Sequence, residues 1–220
     1  MREICPEDFL PRQPPQPLSD DEIHLWFFPQ WKSAAAAAES TEMRRILAAY
    51  LGVNADSLRI VRAEHGKPRI ACARRLQFNL SHGGGGLLLA LSRGLPLGVD
   101  LEASRRSRPV LELAHRYFNQ TEAAALAALP EPLRQAAFLR LWSCKEAVLK
   151  AHGRGIGYGL DRVVFDLDAT GEVVGMRMDA PDELSTPWQV VRLAPTAIHI
   201  GALAWRGRPC VVRSFAHAQL

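Results

Sequence analysis

Two short stretches hold the residues whose types and spacing could do chemistry. LGVDLE (Leu97 to Glu102) sets Asp100 and Glu102 two residues apart, and LWSCKEAVLK (Leu141 to Lys150) sets Glu146 one turn before Lys150. Side chains alternate along a strand, so Leu97, Val99 and Leu101 point one way while Gly98, Asp100 and Glu102 point the other. At about 3.3 Å of rise per residue, the two carboxylates start roughly 6.6 Å apart along the backbone. Such a pair can converge on one hard cation, and it equally suits two solvated acids at a strand end. Mg²⁺ keeps several waters and takes one or two carboxylates plus substrate phosphates, so D-x-E is at most half of its site. On a helix, Leu139, Ser143, Glu146 and Lys150 share a face, with Trp142 and Leu149 on a neighbouring one. Glu146 and Lys150 could form a helix ion pair, worth about 0.3–0.5 kcal/mol when exposed. Alternatively, Glu146 sits on a metal and Lys150 on a phosphate oxygen of the same ligand.

NLSHGGGG (Asn79 to Gly86) runs a strand into glycines that permit close backbone approach to a ligand. No Lys-Ser/Thr follows, so it is not a Walker phosphate loop. Asn79 stands where a nucleophile elbow needs glycine, which removes Ser81 as a hydrolase nucleophile. His82 beside the glycine turn would suit a phosphate, or be structural. HGKPRI displays Lys67 on a Gly66-Lys67-Pro68 turn.

Positioning these residues requires a mixed scaffold. The chain has 220 residues, 48% hydrophobic and 23% charged, enough for one large domain or two small ones sharing a core. The net charge of +4 favours an acidic or phosphorylated partner. No dense Lys/Arg block with interleaved aromatics occurs, so no nucleic-acid partner is expected. The cysteines (Cys5, Cys72, Cys144, Cys210) form no C-x-x-C and are expected to be reduced thiols of a cytoplasmic protein. The N-terminus is acidic and Pro-rich rather than signal-like, and no apolar run reaches the ~18 residues of a membrane span.

Residues 1–22 read as a polar tail. A strand through HLWFF follows, then a helix through AAAAAESTEMRRILAAYLG that closes near Gly52. LRIVRAEHGKPRI reads as short strands about a turn, and LLLALS and LGVDLE as two strands joined by RGLP. SRRSRP connects the halves. LELAHRYF, TEAAALAAL and EPLRQAAFLRLWSCKEAVLKAHG are helical, the last closed by Gly153, and Val163 to Phe215 is mostly strand.

In order, GKP, NLSH, GVDLE and WSCKEAVLK resemble the 4′-phosphopantetheinyl transferases, in particular the larger Sfp-type members built as a pseudo-dimer in one chain. RRILAAYLG, HRYFNQTEAAAL and HGRGIGYGLDRVVF extend the resemblance over roughly residues 43–167. It implies an α+β fold of two similar subdomains related by pseudo-twofold symmetry, with the active site between them. The expected division is 1–22 tail, 23–103 N-terminal subdomain with the D-x-E, and 104–220 C-terminal subdomain with the Glu146 helix. The implied reaction moves the phosphopantetheine arm of coenzyme A onto a serine of an apo acyl or peptidyl carrier protein and releases adenosine 3′,5′-bisphosphate. By motif, Asp100, Glu102 and Glu146 would hold Mg²⁺, and Glu146 or a water it orients would take the serine proton. Lys150 would neutralise charge on the attacked phosphoryl group. Gly66, Lys67, Pro68, Ser81 and His82 would line the nucleotide end of coenzyme A. A monomer acting on acidic carriers is expected.

Two positions depart from the family pattern. The basic segment between first strand and first helix is short, WKSAAAAAES, with Lys32 its only cation, and Gly83 replaces a small polar residue after Ser-His. A binding module that transfers nothing and a Mg²⁺-dependent phosphohydrolase are the competing readings.

Overall fold

Local punctuation sets where the elements begin and end. Two short strands, β1 (Glu3–Ile4) and β2 (Phe9–Pro11), precede β3 (Glu22–Phe28) and α1 (Thr41–Leu51). The Ser40 hydroxyl accepts from the Met43 amide at the start of α1, and Gly52 ends it in the left-handed region at φ 65°. The helix therefore starts after the alanine run. Ala37–Glu39 form only a 3₁₀ turn. Next come β4 (Ile60–Arg62), β5 (Pro68–Ile70), β6 (Leu76–Gly83), β7 (Gly86–Arg93) and β8 (Leu97–Ala103). The second half runs α2 (Val110–Tyr117), α3 (Gln120–Ala128) and α4 (Glu131–His152), the last closed by Gly153 at φ 87°. Strands β9 (Val163–Leu167), β10 (Val173–Met178), β11 (Trp188–Leu193), β12 (His199–Arg206) and β13 (Val211–Ala216) complete it. This computed structural model describes residues 1–11, 17–31, 37–71, 73, 75–105, 107–178 and 186–217. Lys32 lies outside the described residues, as does the rest of the alanine run.

Two sheets pack face to face, one ordered β2-β13-β3-β7-β6 and the other β1-β11-β12-β8. Between them lies an apolar layer of Ile23, Leu25, Phe27 and Leu88 against Leu97, Val99, Leu101 and Leu203. Helix α1 covers the outside of the first sheet through Met43, Ile46 and Leu47 on Trp26, Phe28 and Leu89. Helices α2–α4 cover the outside of the second, with Phe138, Ala147 and Val148 in one cluster with Ala202 and Ala204. Each half is therefore sheet then helix, read outward from the shared interior. This is the two-part α+β architecture that the resemblance implies.

The chain does not keep its halves to separate sheets. LLLALS and LGVDLE are consecutive strands but not partners, because β7 pairs with β3 and β6 while β8 pairs with β12. The D-x-E strand thus belongs to the sheet made otherwise of β11, β12 and β1. In return β13, near the C-terminus, inserts parallel between β2 and β3. The N-terminal stretch expected as a tail is also built in. β1 pairs with β11 and β2 with β13, and Ile4, Phe9 and Leu18 are buried. Alternating Pro and acid residues hid those short apolar anchors.

Candidate active site

The site forms where α4 lies on β8, and Gly98 lets it lie there. A Cβ at Gly98 would fall 2.1 Å from the Ala147 carbonyl oxygen and 2.4 Å from the Ala151 amide nitrogen. Without that side chain the helix settles on the strand, and the next two residues on the same strand face, Asp100 and Glu102, reach Glu146 and Lys150. Leu97, Val99 and Leu101 go into the inter-sheet core, as the alternation requires.

The strand is fixed laterally by β6. Strand β8 has no backbone partner there, and side chains supply the missing acceptors. The Asn79 Oδ1 accepts from the Val99 amide at 2.8 Å, and Ser81 Oγ accepts from the Leu101 amide at 3.2 Å. Gly83 continues the row, where a Cβ would fall 2.4 Å from the Leu101 carbonyl oxygen. That close approach explains the glycine after Ser-His in steric terms. His199 braces the turn beyond it, its Nε2 lying 3.1 Å from the Gly83 carbonyl.

Ser81 is accordingly a positioning group. Its hydroxyl donates to Asp100 Oδ1 at 2.9 Å and receives the Lys150 ammonium at 3.1 Å. Lys150 Nζ also donates to Asp100 Oδ1 at 2.7 Å and to the Val99 carbonyl at 3.1 Å. Lys150 therefore pairs across to the strand rather than along the helix to Glu146. Arg108, in the connection after β8, takes the other strand acid through an ion pair between its Nη2 and Glu102 Oε2 at 2.5 Å. Among the described residues, the Glu146 carboxylate has no such partner. Burial first, then the nearby Asp100 carboxylate, push the Glu146 carboxyl up to about 7. Burial and Asp100 raise Glu102 too, opposed by Arg108.

These groups line a cleft of about 390 Å³ with Leu80, His82, Leu101 and Trp142. His82 is exposed at its wall. Trp142 is held by aromatic contacts with Tyr117, Phe118 and Phe138. Gly66, Lys67 and Pro68 are not among the lining residues. The Lys67 ammonium is spent internally, on the Leu97 and Lys150 carbonyls at 2.7 and 2.8 Å, which ties the turn to the C-terminal end of α4. Burial lowers it to about 8. Lys145 faces away from the cleft. Its buried ammonium bonds Glu122 Oε2 at 2.7 Å and the Leu160 carbonyl at 2.9 Å, and contacts the Val163 carbonyl. Glu122 completes the arrangement by accepting from the Phe165 and Asn119 amides.

The donor set fits a hard divalent cation in a limited way. Asp100 Oδ2 is buried with no hydrogen-bond partner among the described residues, and Glu146 lacks a cation of its own. Two free carboxylate oxygens are what Mg²⁺ commonly takes from protein. Among the described residues, no three His, Cys, Asp or Glu side chains are already gathered about one point. Glu102 is held back by Arg108.

Sequence reasoning missed Arg108, Asn79 and the Glu122–Lys145 pair. Asn79 and Ser81, two apart, share one strand face, which is the signal that could have placed them against β8. SRRSRP offered three arginines and no means of choosing among them.

Known proteins resemble this chain in sequence. The profile of the 4′-phosphopantetheinyl transferase superfamily matches residues 96–200, which span β8, α4 and most of the second sheet. The 4′-phosphopantetheinyl transferase HetI of Nostoc sp. is 31% identical over 90% of this chain and 94% of its own length. The 4′-phosphopantetheinyl transferase Sfp of Bacillus subtilis is 31% identical over 65% of this chain and 61% of its own. The human L-aminoadipate-semialdehyde dehydrogenase-phosphopantetheinyl transferase is 29% identical over 73% and 55%, respectively. With relatives of that extent converging on one activity, and its cleft built from the D-x-E strand and the Glu146 helix, the chain belongs to the 4′-phosphopantetheinyl transferase superfamily as an Sfp-type enzyme.

Proposed function

We propose that the protein transfers the phosphopantetheine arm of coenzyme A to a serine hydroxyl of an apo acyl or peptidyl carrier protein, with Mg²⁺ required. The serine oxygen would attack the phosphorus bearing the pantetheine arm, and the bond to the adenosine phosphate would break, releasing adenosine 3′,5′-bisphosphate. The observation that carries this reading is the convergence of Asp100, Glu102, Glu146 and Lys150 on one cleft. Glu146, or a water that it orients, would accept the serine proton as attack begins. Lys150, 2.7 Å from Asp100, stands ready to shift part of its charge to a phosphoryl oxygen. Ser81 and Asn79 hold Asp100 and its strand still while that happens. Asp100 and Glu146, joined by Glu102, would hold Mg²⁺, which would neutralise charge on the diphosphate.

His82 at the cleft wall is the element of the nucleotide-end expectation that the geometry favours. Lys67 and its glycine turn would act by supporting α4, with their backbone, not the ammonium, towards any nucleotide. Acidic carriers match the net charge of +4. No helix among the described residues is long and apolar enough to cross a membrane. The proposed setting is the cytoplasm, with the chain acting as a monomer. The domain boundary is proposed at the SRRSRP connection.

Intact-protein mass spectrometry of an apo carrier with coenzyme A and Mg²⁺ tests the reading. The expected result is a gain of one phosphopantetheine arm that chelation abolishes. No gain on either an acyl or a peptidyl carrier would favour the binding-module alternative. Consumption of coenzyme A without any carrier would favour the hydrolase.

A further inference from the structure

The three carboxylates of the cleft are not treated alike by the protein. Asp100 is ion-paired with Lys150 and Glu102 with Arg108, while Glu146 has no ion pair among the described residues and feels Lys150 only through its field. Lys150 leaves one Asp100 oxygen free, because only Oδ1 is engaged and Oδ2 has no partner. Arg108 differs in origin and consequence. It comes from the connection after β8 rather than from a sheet or from α4, and it is half-buried against Glu102. With that pair closed, Glu102 is turned to the guanidinium, and the three acids do not gather about one point.

We propose that Arg108 is a built-in competitor for the metal: its ion pair with Glu102 stands in for a divalent cation in the empty enzyme and sets how tightly that cation binds. Three acids facing two chain cations leave the cleft with one formal negative charge. Opening the Arg108 pair adds a second, at the position where a third ligand is needed. The connection can move more readily than α4 or β8, because its described residues 104, 105 and 107–109 are in neither helix nor strand. Arg108 is therefore a positioning residue that governs Glu102. This rests on the proposed metal-dependent transfer.

The test is a Mn²⁺ titration by calorimetry, without coenzyme A, on the wild type, Arg108→Gln, Glu102→Gln and the double variant. Arg108→Gln should bind Mn²⁺ about five-fold more tightly, the size expected for releasing one partly exposed ion pair. Arg108→Lys, which keeps the charge and loses the planar fork, should fall between. In the Glu102→Gln background the Arg108→Gln substitution should change nothing. Unchanged or weaker Mn²⁺ binding by Arg108→Gln overturns the proposal and leaves the transfer reading standing. Equal tightening in the Glu102→Gln background also overturns it, since a diffuse field rather than the pair would be responsible. If the wild type binds no Mn²⁺ even with coenzyme A added, the metal part of the proposed function fails, and this proposal with it. Thermal melts within a few degrees of wild type confirm that each variant is folded.

Discussion

Lys145 and Glu146 are adjacent on α4, both buried, and opposite in how their charges are met. Lys145 has a carboxylate and two carbonyls around it in a sealed pocket behind the helix, with the Phe118 ring 4.8 Å from its ammonium. Glu146 faces the cleft with no ion pair among the described residues, and burial, then Asp100, raise its carboxyl to about 7 against the opposing pull of Lys150. The first is a finished ion pair, in which both burial costs are met by directed hydrogen bonds. The second is an unfinished one, whose missing partner must come from outside the chain. A helix turns about 100° per residue, so one dipeptide can serve both ends. The comparison separates a charge kept to hold the fold from a charge kept to do work.

The largest break in that comparison is Glu146→Gln. It should lower transfer by about 10²–10⁴-fold, the usual range for removing a positioned base, without lowering the melting temperature. Full activity would refute the role. The mirror experiment is Lys145→Met, which strands Glu122 without its cation. Urea unfolding should show a loss of about 3–5 kcal/mol, and adding Glu122→Gln should recover part of it, because the neutral amide removes the stranded charge and its oxygen can still accept from a neighbouring backbone amide. Little loss in the single variant would mean that the pair is not the lock described above.

Gly98→Ala probes the contact that brings the two regions together. With the added Cβ 2.1 Å from the Ala147 carbonyl, a destabilisation of about 1–3 kcal/mol is expected as α4 shifts off β8. Transfer should fall more than stability, since Asp100 and Glu146 approach across that contact. The mildest effect is on pH. The Glu146 carboxyl holds its proton to about 7 in the folded protein against 4.5 ordinarily, so the folded state binds more protons in between. Stability of the metal-free enzyme should therefore fall as pH rises through that window, and Glu146→Gln should flatten the slope. A slope unchanged by that substitution would place the raised acid elsewhere.

Much of this was legible in the sequence because the relevant patterns are short. The alternation from Leu97 to Glu102, the one-face spacing of Ser143, Glu146 and Lys150, and the glycines closing α1 and α4 all depend on near neighbours. What stayed hidden depends on residues far apart in the chain. Nothing near Asn79 says that its side chain will take the place of a strand edge for Val99, and nothing near Lys145 names Glu122. The family resemblance implied a ligand-binding role for the Lys67 turn, and nothing local foretold that its ammonium also anchors α4. Residues 1–22 read as a tail, because two-residue and three-residue strands carry too little pattern to register.

The exchange of strands between sheets also governs how the molecule can be made. The first sheet is incomplete until β13 slides between β2 and β3, and that strand begins at residue 211 of 220. A nascent chain emerging from the ribosome cannot close its first sheet until β13 has left the exit tunnel. Contacts of such long sequence separation also make for slow closure. The first sheet should thus close only in a late step that brings β13 back to strands made near the beginning of synthesis.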